Sequence, residues 1–239
     1  MPEMFSASRA GRHMQCHASA NLALAIPHWT PPEEDPNADN AASRGSRMHE
    51  MFADVMSLAP KDAENFAAAV TYVATVRKTR RFKKLIEEQV TAEWLTTKPK
   101  TTADLVLYVT DEIHVFDLKT GKIPVQVYGN LQLMYYAACY GHLAPNAKGV
   151  TVHIIQPWAG IMDNWFIDTQ TLAQFMVDAQ ATEAAIQAGS TQFTPGDACK
   201  FCPANPHSRT AKGRPLCPEM MQLLYPAPFD EAAILTEEN

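Results

Sequence analysis

The chain has no apolar run of the roughly eighteen residues that a spanning helix needs. It also has no apolar core after Arg9, Arg12 and His13, so no secretory signal is legible and a cytoplasmic location is expected. Basic residues are the minority, 20 Lys and Arg against 26 Asp and Glu, for a net charge of −6. That balance argues against a protein that holds nucleic acid by bulk charge, while leaving room for a local basic patch. Charged residues are only 19% and apolar ones 46%, an ordinary globular composition that excludes wholesale disorder. Cysteine is sparse: an odd count of five, with no signal, argues against a disulfide framework and keeps metal binding open. No internal repeat and no low-complexity tract is present.

What remains reads as five pieces. Ser6 to Ala25 looks helical, with Ser6 or Ser8 as cap and Leu22, Leu24 and Ile26 apolar. Pro27 to Ser43 holds four prolines and several acids and reads as a flexible strap. Two helices follow. Met48, Met51, Phe52, Val55 and Leu58 recur at helical steps from Arg44 to Leu58, and Phe66, Val70, Val73 and Val76 do so from Asp62 to Arg80. The period then changes. Leu85–Trp94, Ala103–Val109 and Ile113–Leu118 are short β-rich runs, with polar turns at Thr96–Thr102 and Thr110–Glu112. A helix from Val127 to His142, a strand from Val150 to Gln156 with Trp165–Ile167 as partner, and a helix from Thr169 to Ala188 complete the pattern. The last piece, Thr191 to Pro228, is rich in Pro and Cys without period and needs another source of order, such as a metal. The expectation is an α/β fold, one domain over residues 1–239, with a core at 44–190 and metal-bearing ends at 1–26 and 191–228.

The most informative segment runs from Asp104 to Lys119. Side chains alternate along a strand, so Asp117 and Lys119 share a face while Phe116 and Leu118 take the other. A short turn joins the two strands and lets Asp104 lie beside Asp117. Two close carboxylates repel unless a cation sits between them, and hard divalent ions prefer oxygen ligands. A lysine one pleat away can orient a water for attack on phosphorus. Upstream, His49 lies on a helix that opens Arg44-Gly45-Ser46-Arg47. Downstream, Gln132 and Tyr136 stand four apart on one helix face.

This ordered set of His, Asp, Asp-x-Lys and Gln-x-x-x-Tyr resembles the PD-(D/E)XK nuclease superfamily. It is most similar to the RecB-like branch, which includes CRISPR-associated nucleases and phage exonucleases. The resemblance implies a restriction-endonuclease-like core, a central mixed sheet flanked by helices, and a cysteine-rich C-terminal segment closing on the N-terminus. It implies Mg²⁺ or Mn²⁺ held by His49, Asp104, Asp117 and the Leu118 carbonyl, with Lys119 catalytic and Gln132 and Tyr136 holding the DNA backbone or Lys119. A glutamate in the preceding strand maps onto Glu88, with Glu87 adjacent and interchangeable by a one-residue shift. The implied activity is metal-dependent hydrolysis of DNA, single- or double-stranded, by an exonuclease of a phage replication or recombination system. The implied setting is the host cytoplasm, with a homo-oligomer or a phage single-strand-binding or recombination protein as partner. The rival expectation is an inactive DNA-binding or assembly protein with a structural metal site.

Cys199 and Cys202 form a Cys-x-x-Cys, Cys217 follows after a longer gap, and Cys16 lies far upstream. Four thiolates suit tetrahedral zinc or an iron–sulfur cluster. The same one-plus-three arrangement occurs in RecB-like nucleases, so the resemblance implies a [4Fe-4S] cluster on Cys16, Cys199, Cys202 and Cys217. The gap before Cys217 is longer than in that family and contains His207, which keeps zinc as the alternative. Cys139, on the Gln132 helix, reads as a small core hydrophobe. Arg77, Lys78, Arg80, Arg81, Lys83 and Lys84 put six cations into eight positions, suited either to phosphates or to a helix C-terminus. Arg44 and Arg47 are further phosphate candidates, and Trp158 and Trp165 could stack bases or pack in the core.

Overall fold

Glu112–Leu118, strand β5, is buried at every position after its first residue, as expected of a strand covered on both faces. It lies at the centre of the sheet. A computed structural model describes residues 5–25, 41–57, 67–77, 82–109, 111–141, 146–205 and 217–220. Lys78, Arg80, Arg81 and His207 fall outside these residues, as do most of the proline-rich strap and the ends of the tail.

The other strands are β1 (Phe82–Ile86), β2 (Gln89–Thr91), β3 (Lys100–Thr102), β4 (Leu105–Val109), β6 (Gly149–Gln156) and β7 (Ile161–Asp168). Five of them form one sheet in the order β1-β4-β5-β6-β7. Only β5 and β6 run parallel, and the other pairs are antiparallel. The sheet is therefore mixed, and the parallel step needs a crossover, which a helix supplies. The helices are α1 (Ala10–Gln15), α2 (Ala18–Ala25), α3 (Ala41–Ser57), α4 (Ala67–Arg77), α5 (Leu131–Gly141) and α6 (Thr169–Gln187). The fold is mixed α/β with a central mixed sheet flanked by helices. Among the described residues no helix is long and apolar enough to cross a membrane.

The chain divides into two units. Residues 5–11 and 31–183 hold the sheet. On one face Phe52 of α3 and Ala69 and Val73 of α4 pack with Leu105, Leu107, Phe116, Leu118 and Ile155. The opposite face carries α5, whose Leu133, Tyr136 and Ala137 are buried. The second unit joins residues 12–30 to residues 184 onward, so both ends of the chain contribute to it. There Ala18 donates its N–H to the Gln192 carbonyl at 3.1 Å, and Asn21 Nδ2 donates to the Ser190 carbonyl at 3.2 Å.

Several elements differ from the sequence expectation. Leu85–Trp94 is not one strand: the chain leaves β1 at Glu87, whose φ of 46° lies in the left-handed region. Residues 96–102 are not all turn, because Lys100–Thr102 pairs with Gln89–Thr91 in a separate two-stranded sheet. The helix expected from Val127 starts at Leu131, after a turn in which the Asn130 N–H meets the Val127 carbonyl at 3.4 Å. Gly129 supplies the φ of 70° that the turn requires. Asn130 then caps the helix: its Oδ1 accepts from the N–H groups of Gln132 and Leu133 at 3.1 and 3.2 Å.

Candidate active site

The β4–β5 register pairs Leu105 with Phe116, so the residue before Leu105 lies across from the residue after Phe116. Those two are Asp104 and Asp117. Around them gather His49 from α3, Glu87 from the end of β1, Lys119 from the end of β5, and Gln132 and Tyr136 from α5.

His49, Glu87 and Asp104 offer ligand atoms that all lie within 4.8 Å of one another. His49 Nδ1 donates to Asp104 Oδ1 at 3.0 Å, which raises the pKa of the ring above its ordinary value. The nitrogen that faces Asp104 is Nδ1, so this atom would share a cation with the carboxylate and give up its proton when the ion binds. The other Asp104 oxygen accepts the Leu118 N–H at 2.6 Å, so this carboxylate is clamped to the backbone of β5. Among the described residues this is the one cluster of three His, Cys, Asp or Glu ligand atoms at that spacing. An imidazole and two carboxylates suit a divalent cation. The glutamate that joins the cluster is Glu87 and not Glu88. The turn at Glu87 breaks the alternation that would otherwise choose between them. Glu88 instead gives its carbonyl to the Tyr140 hydroxyl at 2.8 Å.

Asp117 borders this cluster and is only 4% exposed. Lys119 Nζ lies 2.9 Å from its Oδ2, but off the line that a hydrogen bond needs, so that buried oxygen has an ionic neighbour and no aligned donor. Burial pushes the Asp117 carboxyl up to about 6. Lys119 opposes the rise and Asp104 adds to it. A buried carboxylate held above its ordinary range gains from a cation more than a solvated one does. Lys119 also donates to Gln132 Oε1 at 2.9 Å, and Gln132 Nε2 donates to the Tyr136 hydroxyl at 3.0 Å. Gln132 therefore fixes the ammonium, and Tyr136, whose phenol burial keeps protonated, fixes Gln132.

The segment after Lys119 has no regular secondary structure, yet it is tied at Lys119, Gly121, Ile123 and Val125. The Lys119 N–H extends the parallel ladder to the Ile155 carbonyl at 2.8 Å. Gln156 of β6 is fully buried. Its Nε2 donates to the Gly121 and Ile123 carbonyls, both at 2.8 Å, and its Oε1 accepts the Val125 N–H at 3.0 Å. Sequence reading misses Gln156, because a glutamine at the end of an apolar strand carries no signal of what it grips.

A second polar network lies on the opposite face of the sheet. Glu112, His114, His153, Tyr72 and Asn164 are linked in that order at 3.3, 3.1, 2.9 and 3.2 Å. The Glu112 carboxylate can only accept, so each link is oriented. His114 donates to it from Nε2, His153 donates to His114 Nδ1, and Tyr72 donates to His153 Nδ1. His153 stacks on Phe116 at 4.2 Å and is held neutral, its pKa lowered to about 3 by burial and by His114.

The basic residues divide. Lys84 Nζ donates to the Met56 carbonyl at 2.7 Å near the C-terminus of α3, and the Arg77 guanidinium lies 4.7 Å from the Phe82 ring centre. Lys83 is exposed on β1, an edge strand, where lysine discourages added strands. Arg47 is exposed on α3, and the Arg44 side chain lies outside the described residues, as does that of Trp158.

In the other unit Cys16, Cys199, Cys202 and Cys217 line one cavity together with Arg12 and Gln15. Gly196 donates its N–H to Cys199 Sγ at 3.3 Å. No three of the four sulfurs lie within 4.8 Å of one another. A tetrahedral zinc ion with Zn–S of about 2.3 Å needs sulfurs roughly 3.8 Å apart, so the thiols as placed do not form a closed zinc site. Cys139 is buried in α5, where burial pushes its thiol up to about 12.

No curated protein matches the chain in sequence. Residues 56–234 match the model of a family described as a protein of unknown function, DUF2800. Among solved structures, a candidate exonuclease from Eubacterium rectale is 11% identical over 83% of this chain and 88% of its own, at a TM-score of 0.47. A protein designated SSO0001 is 15% identical over 81% of this chain and 95% of its own, at a TM-score of 0.36. Neither overlay is close enough to equate the folds.

Proposed function

The chain belongs to the DUF2800 family, and we propose that it is a divalent-metal-dependent nuclease that hydrolyses phosphodiester bonds of DNA. The observation that carries this reading is the meeting of His49, Glu87 and Asp104 beside the buried Asp117–Lys119 pair. His49, Glu87, Asp104 and Asp117, with the Leu118 carbonyl, would hold Mg²⁺ or Mn²⁺. The bound ion supplies charge to the phosphate and lowers the pKa of water. Asp104, clamped by the Leu118 amide, keeps the donor set in register with β5. Lys119, held by Gln132, presents a fixed positive charge to the attacking water and to the charge that builds on phosphorus. Tyr136 keeps the Gln132 amide from turning.

The finer form of the proposal is an exonuclease of the RecB-like branch, acting in phage replication or recombination as an oligomer or with a phage partner. It rests on the ordered motif in the sequence. It includes a [4Fe-4S] cluster on Cys16, Cys199, Cys202 and Cys217. What supports it in that unit is that the four thiols line one cavity.

The test is incubation of anaerobically purified protein with end-labelled single- and double-stranded DNA in Mg²⁺, in Mn²⁺ and in chelator, beside Asp117→Ala. Cleavage that needs both the ion and Asp117 is expected, and the product ladder gives polarity. A folded, metal-replete protein that leaves all substrates intact overturns the proposal.

A further inference from the structure

We propose that Tyr128 and Trp165 form a stacking platform for an unpaired base of single-stranded DNA, which makes a single strand the preferred ligand of the site. This rests on the reading above for the identity of the polymer, and it adds the strand state that the site selects.

Tyr128 is 74% exposed, yet its backbone is fixed. It occupies the first corner of the Val127–Asn130 turn. Val127 on one side is buried, Gly129 on the other sits at a φ of 70°, and Asn130 caps α5. The side chain is thus aimed outward by a rigid turn. Its ring lies 4.8 Å from that of Trp165, tilted by 51°. On the same segment Ile123 is 83% exposed, with its carbonyl held by Gln156. Large apolar side chains held outward on a pinned backbone suit a flat apolar ligand.

The sheet register puts this pair beside the catalytic row. Trp165 pairs with Val152, and Val152 with Val115, two residues before Asp117 on β5. Alternation puts Val115, Asp117, Val152 and Trp165 on one face. From Asp117 the platform is two strands across and two residues along. At strand spacings of about 4.8 Å and a rise of about 3.3 Å per residue, that is roughly 12 Å between Cα positions. Val115 and Val152 between them are buried under α5, so a strand would pass around the start of that helix, and at about 3.4 Å per stacked nucleotide a base at least three or four nucleotides from the phosphate at Asp117 reaches Tyr128.

The charges decide which part of the strand meets the rings. Asp163 stands next to Trp165 on β7 and repels phosphate, whereas a base is neutral and presents a π face. Lys119 lies beside Asp117, where the backbone would run. A duplex buries every base face except those of its two terminal pairs and along its length leaves the platform unfilled.

The experiment measures binding of a labelled thymidine 16-mer and of a blunt duplex by fluorescence anisotropy, in chelator so that nothing is cut. Tyr128→Ala is expected to weaken single-strand binding about tenfold and duplex binding less than twofold. Tyr128→Phe restores the affinity. Tyr128→Leu, which still covers Trp165 but has no π face, does not, and this separates stacking from loss of fold. In the wild type, a single abasic nucleotide at one position of a scan reproduces the tenfold loss, and in Tyr128→Ala it adds nothing. Single-strand binding by folded Tyr128→Ala within twofold of wild type, or an equal loss on duplex, overturns the platform. A wild type that cleaves DNA but shows no Tyr128 dependence loses the platform alone. One that never cleaves yet binds through Tyr128 loses the nuclease reading alone.

Discussion

Replacing Gln156 probes how the segment after Lys119 is held. The side chain is fully buried and makes three hydrogen bonds to the backbone between Gly121 and Val125, two as donor and one as acceptor. A net contribution of about 0.5–1.5 kcal/mol per bond gives a loss of about 1.5–4.5 kcal/mol in Gln156→Ala. Gln156→Glu keeps the volume and the acceptor for Val125, but turns a carboxylate oxygen toward two carbonyl oxygens. An unpaired buried ion is worse than a neutral group, so the carboxyl keeps its proton and its folded pKa rises above the unfolded value of about 4.3. A carboxyl with a raised folded pKa is most stabilising below its unfolded pKa, and that contribution is lost as pH rises. The stability gap between wild type and Gln156→Glu should therefore be about 1 kcal/mol near pH 4.5 and widen by up to about 1.4 kcal/mol per pH unit until the folded pKa is passed. Gln156→Ala should show a gap that does not change with pH. Urea denaturation at several pH values, at constant m, reads all three proteins. A Gln156→Glu gap that is flat with pH and no larger than that of Gln156→Ala would refute the reasoning.

Three further outcomes are expected. Glu87→Gln should raise the Mg²⁺ concentration needed for half-maximal cleavage at least tenfold while Glu88→Gln leaves it unchanged, as a metal titration of each variant would report. His153 is held neutral at a pKa lowered to about 3, so its stability is present above pH 6.5 and lost on acidification. The loss should reach about 3 kcal/mol between pH 6.5 and 4, and the stability difference between wild type and His153→Gln should shrink by that amount over the same window in parallel urea titrations. Cys202→Ser should bleach the visible absorbance of anaerobically purified protein and lower its melting temperature, and unchanged spectra and melting would remove the cluster.

Much of the site's placement follows from elementary geometry. Alternation in Ile113–Leu118 and a short turn are enough to set Asp104 across from Asp117, and the four-residue step on α5 sets Gln132 over Tyr136. What was hidden depends on contacts with no local signature. The turn that swings Glu87 toward His49 is a positive φ at a glutamate, where neither glycine nor proline announces it. Thr101 and Thr102 are β-branched but sit among polar residues, and only their pairing with Gln89–Val90 makes them strand. His114 and His153 look like isolated histidines in apolar strands, because they partner each other across strands distant in sequence and because Tyr72, which donates to His153, comes from α4. Val127 and Tyr128 carry the apolar pattern of a helix, and the Gly129–Asn130 cap overrides it.

The tethering of residues 119–130 bears on conformational entropy. Irregular segments usually keep much of their freedom in the folded state and surrender it when something binds, at roughly 1–2 kcal/mol per residue ordered. Here the ladder bond of Lys119, the grip of Gln156 and the cap of Asn130 remove that freedom as the sheet forms. A ligand that touches Lys119 at one end and Tyr128 at the other meets groups that are already ordered, so its contacts register in affinity almost undiminished.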